Sequence, residues 1–134
     1  MPHVIVEYTD NLAPSGNIRG LLEKLAAKMI DSGGVFPIGG IRVRAQRLSE
    51  YVIADGKGDY AFVNVTAKIG AGRDPSFKQK FFGEMFEIVR QHFRVLLPTH
   101  LIALSLYVEE LDEKGAFRDN NIHLRFNSPS RASP

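Results

Sequence analysis

Tyr60-Ala61-Phe62-Val63-Asn64-Val65-Thr66-Ala67-Lys68-Ile69 places Ala61, Val63, Val65, Ala67 and Ile69 on every second position, the period of a strand with one buried face. Gly70-Ala71-Gly72-Arg73-Asp74-Pro75 then predicts a loop. From Ser76 the spacing changes to that of a helix, with Phe81, Phe82, Met85, Phe86, Val89 and Phe93 on its buried side. Pro98 lies beyond its end, and Leu101-Ile102-Ala103-Leu104-Ser105-Leu106-Tyr107-Val108 is a strongly apolar strand. This half of the chain therefore reads as strand–helix–strand.

The preceding half has the same order. Val4-Ile5-Val6-Glu7-Tyr8 predicts a short strand, stopped by Thr9-Asp10-Asn11. Ile18, Leu21, Leu22, Leu25 and Met29 mark one face of a helix that Asp31-Ser32-Gly33-Gly34 ends. Ile41-Arg42-Val43-Arg44-Ala45 alternates as a half-buried strand, and Tyr51-Val52-Ile53-Ala54 continues as strand or extended chain. Asp55-Gly56-Lys57-Gly58-Asp59 is a turn cluster. A shift of 60 residues lays Leu21, Leu22, Leu25 and Met29 on Phe81, Phe82, Met85 and Val89, and Ile41 on Leu101. The expected fold is α+β: a tandem βαβ duplication giving a four-stranded sheet with two helices on one face, linked by right-handed crossovers. At 134 residues the chain is expected to be one domain, 1–134, with halves of about 2–54 and 60–126. Glu109 to Gly115 reads as an acidic turn, Asn121 to Phe126 as one more short strand, and 127–134 as a flexible tail. Because the Leu101 strand is apolar on both faces, the uncovered sheet face is expected to pack against another subunit.

Composition removes several classes of function. The chain is 44% hydrophobic and 24% charged, which suits a folded globular protein. Its formal net charge of +2 is too small to predict a nucleic-acid groove, and no basic stripe with interleaved aromatics occurs. The absence of cysteine excludes disulfides, thiolate metal sites and cysteine catalysis. No apolar run approaches the roughly 18 residues of a membrane span. Met1-Pro2-His3-Val4 does not have the pattern of a signal peptide, so the expected compartment is the cytoplasm.

His3, His92, His100 and His123 have no metal-ligand spacing, no Gly-x-Ser-x-Gly elbow is present, and Gly70-Ala71-Gly72 lacks the third glycine of a dinucleotide loop. Pro2 has more chemical potential. A small second residue permits removal of the initiator methionine, leaving a secondary amine at the start of a strand. An α-amino group has an ordinary pKa of roughly 7.7–8.0, and burial or nearby cations lower it. Arg42 and Arg73 both stand at element junctions after glycines, and their forks suit carboxylates. Taken singly, each also reads as a solvated loop arginine, and Met-Pro as an ordinary start.

Several blocks together resemble the 5-carboxymethyl-2-hydroxymuconate isomerase family of the tautomerase superfamily. They are Pro2-His3-Val4-Ile5-Val6-Glu7, Asp10-Asn11, Phe36-Pro37-x-x-Gly40-Ile41-Arg42, Ala54-Asp55-Gly56, Asp59-Tyr60-Ala61-Phe62-Val63, Lys68-Ile69-Gly70-Ala71-Gly72-Arg73 and Asn120-Asn121-x-His123. The resemblance runs from Pro2 to about Phe126. It implies two βαβ units per subunit, a homotrimer and a cofactor-free isomerase. It carries the catalytic proline onto Pro2 and the two substrate-binding arginines onto Arg42 and Arg73. The implied substrate is a small polycarboxylate, 5-carboxymethyl-2-hydroxymuconate, in homoprotocatechuate (4-hydroxyphenylacetate) degradation. Helix residues 12–28 carry little of the resemblance, and it gives Tyr8 and His3 no role.

Two other readings use the same residues. A tautomerase could act on another carboxylate, such as an aryl pyruvate or a halogenated acrylate. A non-catalytic module could use Arg42 and Arg73 to bind a dicarboxylate. Only the catalytic readings require a free Pro2 nitrogen, because Met1 would leave that nitrogen an amide without a basic lone pair.

Overall fold

The computed structural model describes residues 1–126; the expected tail, 127–134, lies outside the described residues. Strand β1 (His3–Thr9), helix α1 (Ile18–Ile30) and strand β2 (Arg42–Leu48) form the first βαβ unit. Strand β3 (Tyr60–Gly70), helix α2 (Pro75–Phe93) and strand β4 (Leu101–Leu111) form the second. The sheet order is β2-β1-β3-β4, with β1–β2 and β3–β4 parallel and β1–β3 antiparallel. Short 3-10 turns at Asp10–Leu12, Ile38–Gly40 and Glu113–Gly115 punctuate the connections.

Alternation decides which sheet face is covered. Val4 and Val6 of β1, with Ala61, Val63, Val65, Ala67 and Ile69 of β3, are buried in one cluster with Leu21, Leu25 and Met29 of α1 and Phe81, Phe82, Met85, Val89 and Phe93 of α2. Burying one such large apolar side chain contributes roughly 1.5–3 kcal/mol. Leu22 and Phe86, read as core from their spacing, are half-buried at the margin. Asp74 caps α2 by accepting from the Phe77 amide at 3.3 Å, and Pro75 occupies the first helical turn.

Two C-terminal expectations are corrected. Glu109, Glu110 and Leu111 do not turn but extend β4, in register with Lys68, Ile69 and Gly70. The opposed charges of Lys68 and Glu109 favour that pairing, and Glu110 is held by Lys78 at 3.0 Å. Only Asp112 to Gly115 makes the turn, with Asp112 accepting from the Lys114 amide at 3.1 Å. The residues read as a fifth strand form a short helix, α3 (His123–Phe126), instead. The Asn120 side chain accepts from the Ile122 amide at 2.8 Å, turning the chain away from any sheet edge. Tyr51 to Ile53 is extended without a ladder, and its Tyr51 hydroxyl donates to Asp10 at 3.1 Å.

The uncovered sheet face is more polar than the apolar β4 implied. The register aligns Arg42, His3, Lys68 and Glu109 in one row and Gln46, Glu7, Asn64 and Ser105 in another. Its apolar part is concentrated around Ile5, Phe62, Leu101, Ala103 and Tyr107, of which Leu101 and Tyr107 are well exposed.

Candidate active site

The starts of β1 and β2 lie at the same sheet edge as the end of β3, because β1 and β2 are parallel while β3 runs against β1. Pro2 is fixed there: its carbonyl accepts from the Arg42 amide at 3.3 Å, and it is buried. A cavity of about 470 Å³ opens beside it, lined by Met1, Pro2, Gly40, Arg73, Asn120 and His123 among others. A second cavity of about 240 Å³ lies on the other side of Met1 and takes in His3, Arg42, Phe117 and Arg118. Met1, Gly70 and Arg118 border both.

Arg73 owes its position to local backbone geometry. Gly72 has φ +104°, a conformation that strongly favours glycine, and it returns the chain after β3. The Arg73 guanidinium then donates to the carbonyls of Gly70 at 2.9 Å and Val35 at 3.3 Å, and stacks 4.5 Å from the Phe36 ring. Phe36 is itself buried against Phe77, Phe81 and Phe82, so the cation is mounted on the core. Arg42 is held differently, as the first residue of β2 opposite His3, with its side chain exposed.

The third wall comes from the segment after β4. Asn120 donates to the Gly39 carbonyl at 2.8 Å and to Met1 Sδ at 3.1 Å. Arg118 pairs with Glu113 at 3.2 Å. Gly39 lets α3 approach closely: a Cβ there would stand 2.9 Å from His123 Cα and 3.0 Å from its amide nitrogen.

The electrostatics favour a neutral amine. Burial, then the Arg118, Arg42 and Arg73 guanidiniums, push the pKa of the Met1 ammonium, one residue from Pro2, below its ordinary value; Glu113 opposes them. His3 accepts at Nδ1 from Arg44 at 2.9 Å, which leaves the ring proton on Nε2. Burial, Arg42 and Arg44 also lower its pKa, so the imidazole is neutral at pH 7. Among the described residues no group of three or more His, Cys, Asp or Glu is placed to hold a metal ion.

Pro2 and Arg73 thus share one cavity, whereas Arg42 lies in the adjoining one. Sequence reasoning missed Arg118 and Glu113, and found Asn120 and His123 only within a motif, without a role. Their sole sequence signal is a cluster of turn-forming Asp and Asn residues around an arginine, which is common in surface loops.

The sequence pattern of 5-carboxymethyl-2-hydroxymuconate isomerase matches residues 2–126. The chain is 40% identical over 126 residues to 5-carboxymethyl-2-hydroxymuconate Delta-isomerase of Escherichia coli, covering 94% of this chain and 99% of that protein. A crystal structure of a 5-carboxymethyl-2-hydroxymuconate isomerase from Deinococcus radiodurans R1 superposes with a TM-score of 0.90 at 40% identity, covering 95% of each chain. A member of the cis-3-chloroacrylic acid dehalogenase family shares the fold at 17% identity, with a TM-score of 0.64 over 87% of this chain and 79% of that one.

The close approach at Gly39 gives a direct check on the cavity wall. Gly39→Ala would have to displace α3 backbone, and is expected to lower stability by about 1–3 kcal/mol in urea unfolding.

Proposed function

This chain belongs to the 5-carboxymethyl-2-hydroxymuconate isomerase family, and we propose that it converts 5-carboxymethyl-2-hydroxymuconate to 5-oxopent-3-ene-1,2,5-tricarboxylate with Pro2 as the base. The observation that carries this reading is a buried Pro2, at a strand start, in a cavity it shares with the Arg73 and Arg118 guanidiniums. Removal of Met1 is the first requirement. It frees the ring nitrogen and takes away a side chain that borders both cavities.

The neutral Pro2 nitrogen takes the proton from the 2-hydroxyl. The oxygen electrons form the C2 carbonyl, the C2–C3 double bond moves to C3–C4, and the C4–C5 electrons collect the proton returned by Pro2 at C5. The product is an isomer of the substrate, so the step balances without oxidant, reductant or cofactor. A single base serves both transfers because the dienolate is planar and stays bound. Arg73 and Arg42 hold carboxylates at the two sides of the amine and stabilise the negative charge that spreads over the dienolate. The reading places the reaction in homoprotocatechuate degradation, in the cytoplasm, where Met1 can be removed.

The chain acts as a homotrimer in this reading. The uncovered sheet face, with Leu101 and Tyr107 exposed, and Phe117 at the rim of the second cavity, 93% exposed, support burial against other copies. Sedimentation should then give three times the 14.9 kDa chain mass.

An uncleaved amino-terminal extension is expected to slow dienol decay, followed in the ultraviolet, by roughly 10²–10⁴-fold. Cleavage to a free Pro2, checked by intact mass, should restore it; equal turnover by the blocked protein would refute the mechanism. Arg42→Ala and Arg73→Ala should each cost about 2–4 kcal/mol in kcat/KM.

The burial and guanidiniums that lower the pKa of the Met1 ammonium should act in the same direction on a Pro2 amine freed one residue away, and the pH profile follows. Only the neutral amine is active, so kcat/KM should fall as pH drops through that pKa and level off above it. The acid limb is expected below the roughly 7.7–8.0 of a free α-amino group. Neutralising Arg42 should move the limb upward, because one source of ammonium destabilisation is gone.

A further inference from the structure

We propose that Arg118 is a third carboxylate anchor, binding the carboxymethyl arm of the substrate, and that Glu113 positions its guanidinium. The inference rests on the isomerase reading above and adds the element that selects a tricarboxylate over a dicarboxylate.

The two cavities beside the amino terminus divide the arginines unequally. Arg73 lines the larger cavity and Arg42 the smaller, while Arg118 borders both. Met1, like Gly70, also borders both, and Pro2 lines the larger one. A dienol of this kind carries a carboxylate at each end of a flat chain and a third on a short branch. Each carboxylate drawn out of water needs a cation or several donors. Arg73 and Arg42 match the two ends. Arg118, at the border of both spaces, is the remaining arginine among the lining residues and is suitably placed for a branch.

The local structure prepares that guanidinium without using it up. The turn after β4 is set by Asp112 accepting from the Lys114 amide, which presents Glu113 towards the end of β3. Gly70 leaves room for it: a Cβ there would stand 2.8 Å from Glu113 Oε1. Glu113 Oε2 then accepts from Arg118 Nη2 at 3.2 Å. Among the described residues this is the only ion pair of Arg118. A guanidinium has five N–H donors, so most of the fork is left for a ligand. Arg118 also has the largest effect of any charged group on the Met1 amine, one residue from Pro2.

The test compares two substrates on the high-pH plateau, where the effect of Arg118 on the amine is removed. One is 5-carboxymethyl-2-hydroxymuconate, and the other is 2-hydroxymuconate, which lacks the carboxymethyl arm. Arg118→Ala is expected to lower the tricarboxylate-to-dicarboxylate ratio of kcat/KM on the order of 10- to 100-fold, the effect of losing one charge-assisted contact. Arg118→Gln, closer in shape, should lower the same ratio and serves if the alanine variant aggregates. Glu113→Gln should lower it by a smaller factor, because the fork is then less firmly held. An unchanged ratio in both Arg118 variants, whatever their absolute rates, overturns the proposal. A wild-type protein inert towards the tricarboxylate dienol overturns the isomerase reading itself, a separate result from an unchanged ratio.

Discussion

The site depends on one constraint: the second residue of the chain is anchored at the head of an interior strand. β1 pairs with β2 on one side and β3 on the other, so its amino end cannot fray as chain termini generally do. The Arg42 amide bonded to the Pro2 carbonyl at 3.3 Å closes the last link of that ladder. An amine used as a base must be held within hydrogen-bond reach of its proton. A ring nitrogen at the end of an interior strand meets that requirement through backbone pairing alone. The same pairing determines what surrounds it, because parallel β2 starts and antiparallel β3 ends at this edge. Arg42 and the Gly70-to-Arg73 turn follow from the topology.

Placing several guanidiniums around a buried ammonium is unfavourable, and that conflict is useful here. Burial and the arginines oppose a charged Met1 amine, and a bound polyanion would relieve the repulsion among the arginines themselves. Glu113 offsets part of that repulsion before substrate arrives. The supports are correspondingly rigid. Arg73 rests on the Phe36 ring and two carbonyls, and Asn120 ties the last segment to Gly39. A site assembled on core aromatics and strand ends loses little positional accuracy when its charges repel.

Regular periodicity made the architecture legible, and its absence hid part of the site. The alternation of Ala61 to Ile69 and the helical spacing of Leu21, Leu25 and Met29 report burial, which the core bears out residue by residue. Pro2 and Arg73 stand out in the sequence because unusual chemistry or a glycine turn marks them. The segment 112–126 has neither period. Its conformation is decided by side-chain caps from Asp112 and Asn120 and by room at Gly39 and Gly70. Those are tertiary facts. Hence an apparent strand at 121–126 is a short helix, and nothing in the sequence singles out Arg118. Glu109 to Leu111 erred in the opposite direction, because their acidity suggested a turn while Lys68 and Lys78 supplied partners across the fold.

The duplication also bears on why arginines gather at one end of the sheet. A shift of 60 residues sets β3 where β1 stands, yet β3 runs antiparallel, so its amino end lies at the opposite edge. That end has no free amine, and its surroundings differ accordingly. Asn11 donates to the Tyr60 carbonyl at 2.8 Å and to Asp59 at 3.2 Å, Tyr60 donates to Asp55 at 2.9 Å, and Tyr51 donates to Asp10. Hydroxyls, an amide and carboxylates tie the segment entering β3 to the chain leaving β1. At the other end, Arg73 rests on the Phe36 ring, Arg118 pairs with Glu113, and Gly39 and Gly70 admit the close approach of His123 and Glu113. Two halves of one backbone plan have thus taken different work. One strand start is closed by a neutral and acidic hydrogen-bond network that holds the halves together, and the other lies among cations beside the amino terminus.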